Sequence, residues 1–339
     1  MTSPVPDTVM TVTGPVAPGT LGTTLMHEHL AIGFGGWQDD LRATSPTHAD
    51  ALAIATDRVN ELQDAGVSSM VDPCPIDLGR RPELAAELSE RTGFQIVMAT
   101  GLYLDAMAGA HWKLTARSEG ARYLADAFIA ELEHGMGHTD IRAGIIKVAT
   151  GPRRITGYER AVLEAAAIAS NATGAPITTH TDQGKLGDEQ QALLVELGVP
   201  AHRIVIGHSC GTTDHEYHTR IARGGSYLGF DRFGLESEMP DADRTTSLWR
   251  LIQDGFGDRI VVSQDTVWCW SGRPTPSAGD PVWHPLRFVR EIAPELRALG
   301  ATDEDLDALL VGNPRRYFEG TPLAPAPAVP GTGAGVPAT

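Results

Sequence analysis

Four histidines, a lysine and an aspartate sit in or at the ends of short apolar runs: His27 and His29 in "TLMHEHL", Lys147 in "AGIIKVAT", His180 in "PITTHTD", His208 in "IGHS" and Asp265 in "SQD". Imidazole and carboxylate are metal ligands, and the same groups hold and move protons. Side chains two apart on a strand point to one face, so His27 and His29 are expected to aim at one spot. Two imidazoles on a buried face need a common partner, such as a metal. Lys147 lies among apolar neighbours, where an ammonium is costly unless it is paired or loses its proton. A salt bridge across the fold is one reading. The other is a neutral amine that takes up CO2 and becomes a carbamate, a carboxylate-like bridge between two cations. Asp265 could simply cap a strand end, but a place opposite the histidines favours a ligand that also accepts protons.

The other eight histidines (His48, His111, His134, His138, His202, His215, His218 and His284) fall in helical or loop stretches. They read as surface or packing residues. His215 and His218, three apart, are expected on a solvated helix face.

The elements that must position these groups alternate along the chain. Candidate strands cover 23–30, 67–74, 94–103, 143–150, 175–182, 202–209, 225–231 and 258–265. Between them run Ala/Leu/Glu-rich segments with helical periodicity, several ending in Gly. This pattern predicts an α/β fold, a single (β/α)8 TIM barrel whose active site lies at the C-terminal ends of the strands. A doubly wound open sheet is the alternative, but no Gly-rich phosphate turn follows the first strand. Residues 1–20 contain "TVTGPVAPG", expected to form a short hairpin across the bottom of the barrel. The barrel is expected to span 1–320. Residues 321–339, Pro/Gly/Ala-rich and uncharged, are expected to be a disordered tail.

Bulk properties narrow the function. The 339 residues carry a net charge of −16, which argues against nucleic acid and anionic membranes as partners. No apolar run has the length of a membrane span, and "MTSPVPDTVM" lacks the pattern of a secretory signal. Cys74, Cys210 and Cys269 are odd in number and widely spaced, so neither a disulfide framework nor a structural zinc site is expected. A reducing cytoplasm is the expected location.

Taken together and in this order, "HEHL", "AGIIKVAT", "PITTHTD", "IGHS" and "SQD" resemble the phosphotriesterase family of the amidohydrolase superfamily, from about residue 10 to the "GNPRRYF" ending at 318. The resemblance implies a homodimer with two divalent metals per chain: His27, His29 and Asp265 on one ion, His180 and His208 on the other. Carboxylated Lys147 and a hydroxide would bridge them, with Zn expected and Co, Mn or Fe compatible. Tyr103 and Arg232 stand where lactonase-like members carry a tyrosine and an arginine; dedicated phosphotriesterases carry a tryptophan and a histidine there. The expected substrate is therefore a small molecule, a lactone before an organophosphate. Tyr103 as plain packing and Arg232 as a loop salt bridge are the structural alternatives. In the expected loop 266–283, Trp268 and Trp270 are candidates for an apolar substrate wall, while Trp283 could anchor the next helix.

Three functions compete. The first is a lactonase attacking a carbonyl with the bridging hydroxide, with phosphotriester hydrolysis as a side activity. The second is a dedicated phosphotriesterase or a small N-acyl amide or ester hydrolase on the same site. The third is a silent metal- or ligand-binding barrel, which could have lost Lys147 or Asp265.

Overall fold

The structure is a computed structural model that describes residues 7–275 and 279–327. Two short strands, β1 (Val9–Thr11) and β2 (Gly14–Val16), pair antiparallel as the expected hairpin. Val12 N–H donates to Ile96 O at 2.9 Å, and Gly144 lies so close to Met10 that a Cβ there would sit 2.2 Å from its carbonyl oxygen. The hairpin is thus docked against the N-terminal ends of the barrel strands.

The barrel strands follow in order: β3 (Thr24–Leu25), β4 (His29–Gly33), β5 (Ser69–Asp72), β6 (Gln95–Gly101), β7 (Ile145–Thr150), β8 (Ile177–Thr181), β9 (Ile204–Ile206), β10 (Tyr227–Phe230) and β11 (Ile260–Val262). Eight of them form one parallel sheet in the order β11-β10-β9-β8-β7-β6-β5-β3. Met26 N–H to Val262 O at 3.2 Å and Asp265 N–H to His27 O at 3.0 Å join its two edges. The α/β barrel expected from the strand–helix alternation is present.

Two details differ from expectation. The run 23–30 is not one strand. It breaks at Met26–Glu28 because β3 pairs with β5 while β4 pairs with a further strand, β12 (Val267–Ser271). His27 lies in the break, so its direction comes from the chain crossing between partners rather than from strand alternation. The expected loop 266–283 accordingly begins as β12, parallel to β4; residues 276–278 of it lie outside the described residues.

Alternation does explain the vertical layering. Val71, Val97, Ala99, Ile145, Val205, Tyr227 and Val261 share one apolar cluster with Val9, Tyr317 and Phe318, a floor at the N-terminal end of the barrel. Two residues on from Ile145 and Val261, on the same strand face, come Lys147 and Ser263. A much larger cluster fills the space between sheet and helices. Of the expected tail, 328–339 lies outside the described residues. Residues 321–327 form no regular element but are held to the barrel, where Ala324 O accepts from Arg259 at 2.7 Å. Among the described residues no helix is long and apolar enough to cross a membrane.

Candidate metal centre

At the C-terminal mouth the six expected groups converge on one buried point. Asp265 Oδ1 lies 3.5 Å from His27 Nε2 and 3.2 Å from His29 Nε2, and its Oδ2 lies 3.8 Å from His208 Nε2. Lys147 Nζ is 3.0 Å from His27 Nε2. The His180 ring is 4.6 Å from that of His208, which is 4.7 Å from that of His27. All six are buried.

Backbone geometry sets this convergence. His208 has φ of +57° and Asp265 of +54°, the left-handed region that non-Gly residues enter at a cost and that clusters at functional sites. Both turns swing a ligand inward just past a strand end. Gly101 (φ +113°) allows β6 to approach Lys147, since a Cβ there would lie 1.9 Å from the Lys147 carbonyl oxygen.

A surrounding set of carboxylates and hydroxyls orients the imidazoles, as second-layer groups do around metals. Asp231 accepts from His208 Nδ1 at 2.9 Å and from its backbone N–H at 2.9 Å, while its other oxygen lies 3.2 Å from His27 Nδ1. Asp72 accepts from Leu30 N–H at 3.2 Å and Cys74 N–H at 3.0 Å and lies 3.5 Å from His29 Nδ1. The Tyr103 hydroxyl is 3.2 Å from His180 Nδ1. Arg232 Nε donates to Asp265 Oδ2 at 2.9 Å, and its Nη1 to Glu238 at 2.5 Å.

Charge follows from this packing. Burial alone would raise Asp265, but His208, His27 and Arg232 hold it ionised well below the carboxylate range. Burial lowers Lys147 to about 8, which makes the amine partly neutral near physiological pH. Burial, then the Lys147 charge, depresses His27 to about 3, and burial with His208 and Arg232 depresses His180. His29 moves up despite burial because Asp265 and Asp72 flank it; the two carboxylates call for a cation there.

The donor set fits metal ions. His180 Nε2 is buried with no hydrogen-bond partner, a cost that a ligand bond would remove. The lowered imidazoles of His27, His180 and His208, an ionised carboxylate and a depressed lysine match the protonation states ligation requires. His27, His208 and Asp265 form one candidate metal-holding group, and His29, Asp72 and Cys74 a second that shares no residue with it.

Around this centre lies a cavity of about 280 Å³ walled by Ile32, Phe34, Leu78, Leu235, Trp270 and Trp283, with Arg232 and Glu238 among its polar residues. Trp270 lies at the cavity as expected. Trp268 does not: β12 alternation turns it into the outer core, with its indole N–H on Thr266 Oγ1 at 3.1 Å. Trp283, for which helix anchoring is the alternative to a place in the substrate wall, lines the cavity and donates to Gln264 O at 2.8 Å. His218, expected on a solvated face, is buried, with Nε2 on Ser209 O at 2.8 Å, while its neighbour His215 pairs with Asp254. Asp72, Asp231 and Glu28 have no role assigned from the sequence; the signal is there, since Asp72 and Asp231 are carboxylates ending apolar runs and Glu28 lies between two of the expected ligands. A larger cavity of about 460 Å³ lies at the opposite end, beside the hairpin. Glu133, Arg142 and Arg203 lie among its mostly apolar lining residues, and among the described residues neither candidate metal-holding group lines it.

Comparison with known proteins agrees with this geometry. The model of the Phosphotriesterase family matches residues 7–318. A "Phosphotriesterase homology protein" of Mycobacterium tuberculosis is 38% identical over 316 residues, covering 91% of this chain and 97% of its own. The solved organophosphorus hydrolase from Deinococcus radiodurans is 41% identical with a TM-score of 0.88, covering 94% of this chain and 98% of its own. A mutant of a PTE-like lactonase from the same organism is 40% identical with a TM-score of 0.86, covering 91% and 99%.

Proposed function

The chain belongs to the phosphotriesterase family and is a metal-dependent hydrolase, and from that premise we propose that it is a lactonase with a binuclear centre and a weaker phosphotriesterase activity. The observation that carries this reading is the convergence of four imidazoles, Lys147 and Asp265 on one point under a cavity of about 280 Å³. His27, His29 and Asp265 would hold one divalent ion and His180 and His208 the other, with Lys147, carboxylated, between them; zinc is the proposed metal. Two such ions supply an activated water at neutral pH and polarise the oxygen of the group attacked.

The remaining work falls to side chains. Asp265 is ionised and faces the centre, so it can take the proton of the attacking water and return it to the leaving oxygen. That return matters for an aliphatic lactone, whose alkoxide leaves poorly, and much less for an activated aryl phosphate. Arg232, bonded to Asp265 Oδ2, keeps that carboxylate charged and aimed. The Tyr103 hydroxyl projects beside His180, where it can orient an incoming carbonyl oxygen. Phe34, Trp270 and Trp283 exclude water from the substrate's apolar arm. The resemblance at Tyr103 and Arg232 and the lactonase relative support the lactone; the organophosphorus hydrolase relative supports the side activity.

The test is metal analysis combined with paired assays on one metal-loaded preparation. About two equivalents of metal are expected, and a higher kcat/KM for an aliphatic γ- or δ-lactone than for an aryl dialkyl phosphate. A higher value for the phosphate, or cleavage of an N-acyl amine with no lactone opened, would replace the lactone reading and leave the hydrolase. A homodimer in the cytoplasm is part of the same proposal.

A further inference from the structure

Glu28, the residue between the two histidines of "HEH", has no part in the proposed chemistry, yet its carboxylate is the most heavily bonded side chain near the site. It is fully buried, no basic side chain pairs with it among the described residues, and it accepts only from the segment that carries Asp265. Ser263 Oγ donates to Oε1 at 2.7 Å and Gln264 N–H at 2.9 Å. Thr266 donates to Oε2 through its backbone N–H at 3.3 Å and through its hydroxyl. With its amide turned to satisfy its neighbours, Gln264 Nε2 adds a bond to Oε1 at 2.7 Å while its oxygen accepts from Phe288 N–H at 3.1 Å. Residues on both sides of Asp265 are therefore tied to one carboxylate more than 230 positions away in sequence.

We infer that Glu28 is a positioning residue that holds the 263–266 turn in the left-handed conformation presenting Asp265 to the metals, and that through Gln264 it also sets the Trp283 wall of the cavity. A turn with φ of +54° at Asp265 relaxes unless its neighbours are fixed. Backbone pairing fixes this segment only in part: Asp265 N–H donates to His27 O at 3.0 Å, Ser263 N–H to Phe230 O at 3.3 Å and His29 N–H to Thr266 O at 2.8 Å. The N–H groups of Gln264 and Thr266, between the end of β11 at Val262 and the start of β12 at Val267, turn to Glu28 instead. The Glu28 carboxylate completes the pairing by receiving the N–H groups of Gln264 and Thr266 on either side of Asp265. The same chain of bonds runs on from Gln264 O to the Trp283 indole. A carboxyl group suits this place because its two oxygens accept several donors at once.

The inference rests on the proposed metal centre, so its test reads metal and backbone as well as turnover. Glu28→Gln keeps the shape but puts an NH2 against the Thr266 donors. Zinc titration against a chromophoric chelator should show at least one equivalent bound about 10–100-fold more weakly, the usual cost of losing a second-layer partner. Amide exchange in a peptide covering 263–266 should accelerate, and kcat should fall with KM changed less than about threefold. The milder Ser263→Ala, which removes one donor, should shift the same readouts in the same direction, by less, and it keeps the test alive if Glu28→Gln folds poorly. Unchanged zinc affinity and unchanged exchange in a folded variant would overturn the inference. A wild-type protein that binds zinc but opens no lactone would fail the substrate reading alone, since titration and exchange need no substrate.

Discussion

The two ends of the barrel bury charge in opposite ways. At the floor, Arg203 and Arg259 are buried, but they donate to backbone carbonyls: Arg203 to Tyr317 O and Phe318 O, both at 2.9 Å, and to Gly174 O; Arg259 to Ala222 O at 3.0 Å and Ala324 O at 2.7 Å. Asn313 likewise donates to Gly257 O and Ile260 O. Gly174 O and Phe318 O lie at helix C-termini, where intrahelical donors run out. Tyr317 O and Ala222 O also accept from Gly320 N–H at 3.3 Å and Gly225 N–H at 3.1 Å. The guanidinium bonds thus complete the pairing of backbone groups the fold has already buried. At the mouth, side chains face one another: the imidazoles of His27, His29, His180 and His208 surround a carboxylate and an amine, and among the described residues His27 Nδ1, His29 Nδ1 and His180 Nε2 make no hydrogen bond. Burial of polar groups is therefore no sign of function by itself. What distinguishes the mouth is that ligand-type side chains converge on one another, with ring nitrogens left unpaired among them.

Breaking the mouth should cost activity, and breaking the floor should cost stability. Lys147→Met should have the largest effect: metal content falling from about two equivalents to one or none and turnover lost, with partial recovery on adding a small carboxylate. Full activity in that variant would return Lys147 to a structural role. Asp265→Asn should lower kcat by about 10²–10⁴-fold, the range for a lost proton-transfer group, with a smaller change in KM; steady-state kinetics on the lactone checks this.

The floor makes the converse prediction. Arg203→Met removes the guanidinium donors from Gly174 O, Tyr317 O and Phe318 O, so denaturant unfolding should show a loss of about 3 kcal/mol. Its kcat at a temperature where it stays folded should match the wild type within about twofold. A large kcat loss with unchanged stability would erase the contrast between the two ends.

The smallest effect concerns His218, which packs between the layers and belongs to neither end. Burial depresses it to about 4 despite its bond to Ser209 O. Its folded value lies below its unfolded one, so the unfolded chain binds more protons between pH 6.5 and 4. Its contribution to stability is complete above 6.5 and declines as pH falls toward 4. Comparing unfolding midpoints of wild type and His218→Gln over that window should show a shallower decline in the variant and no difference in slope above pH 7.

Much of this protein is written locally in its chain. Alternating apolar strands and Ala/Leu/Glu helices are short-range patterns, and they carry the barrel and the position of His180, His208 and Asp265 at strand ends. The identity of the six converging groups was equally legible, because imidazoles, a lysine and a carboxylate in apolar runs are costly unless they meet. Other features depend on contacts between distant segments. The break at Met26–Glu28 arises because β3 and β4 take different partners, β5 and β12. The inward swing of Asp265 and His208 relies on left-handed turns that no local propensity favours. Asp231 serves two imidazoles, and Glu28 serves a turn beyond β11, only because barrel closure brings strand 1 beside strand 8. Trp268 and Trp270 share a strand, yet pleating sends one to the outer core and the other to the cavity. Residue types and spacing decided which chemistry the chain can host. Pairing across the closed sheet decided where each group points, because direction is set by the neighbour a segment meets.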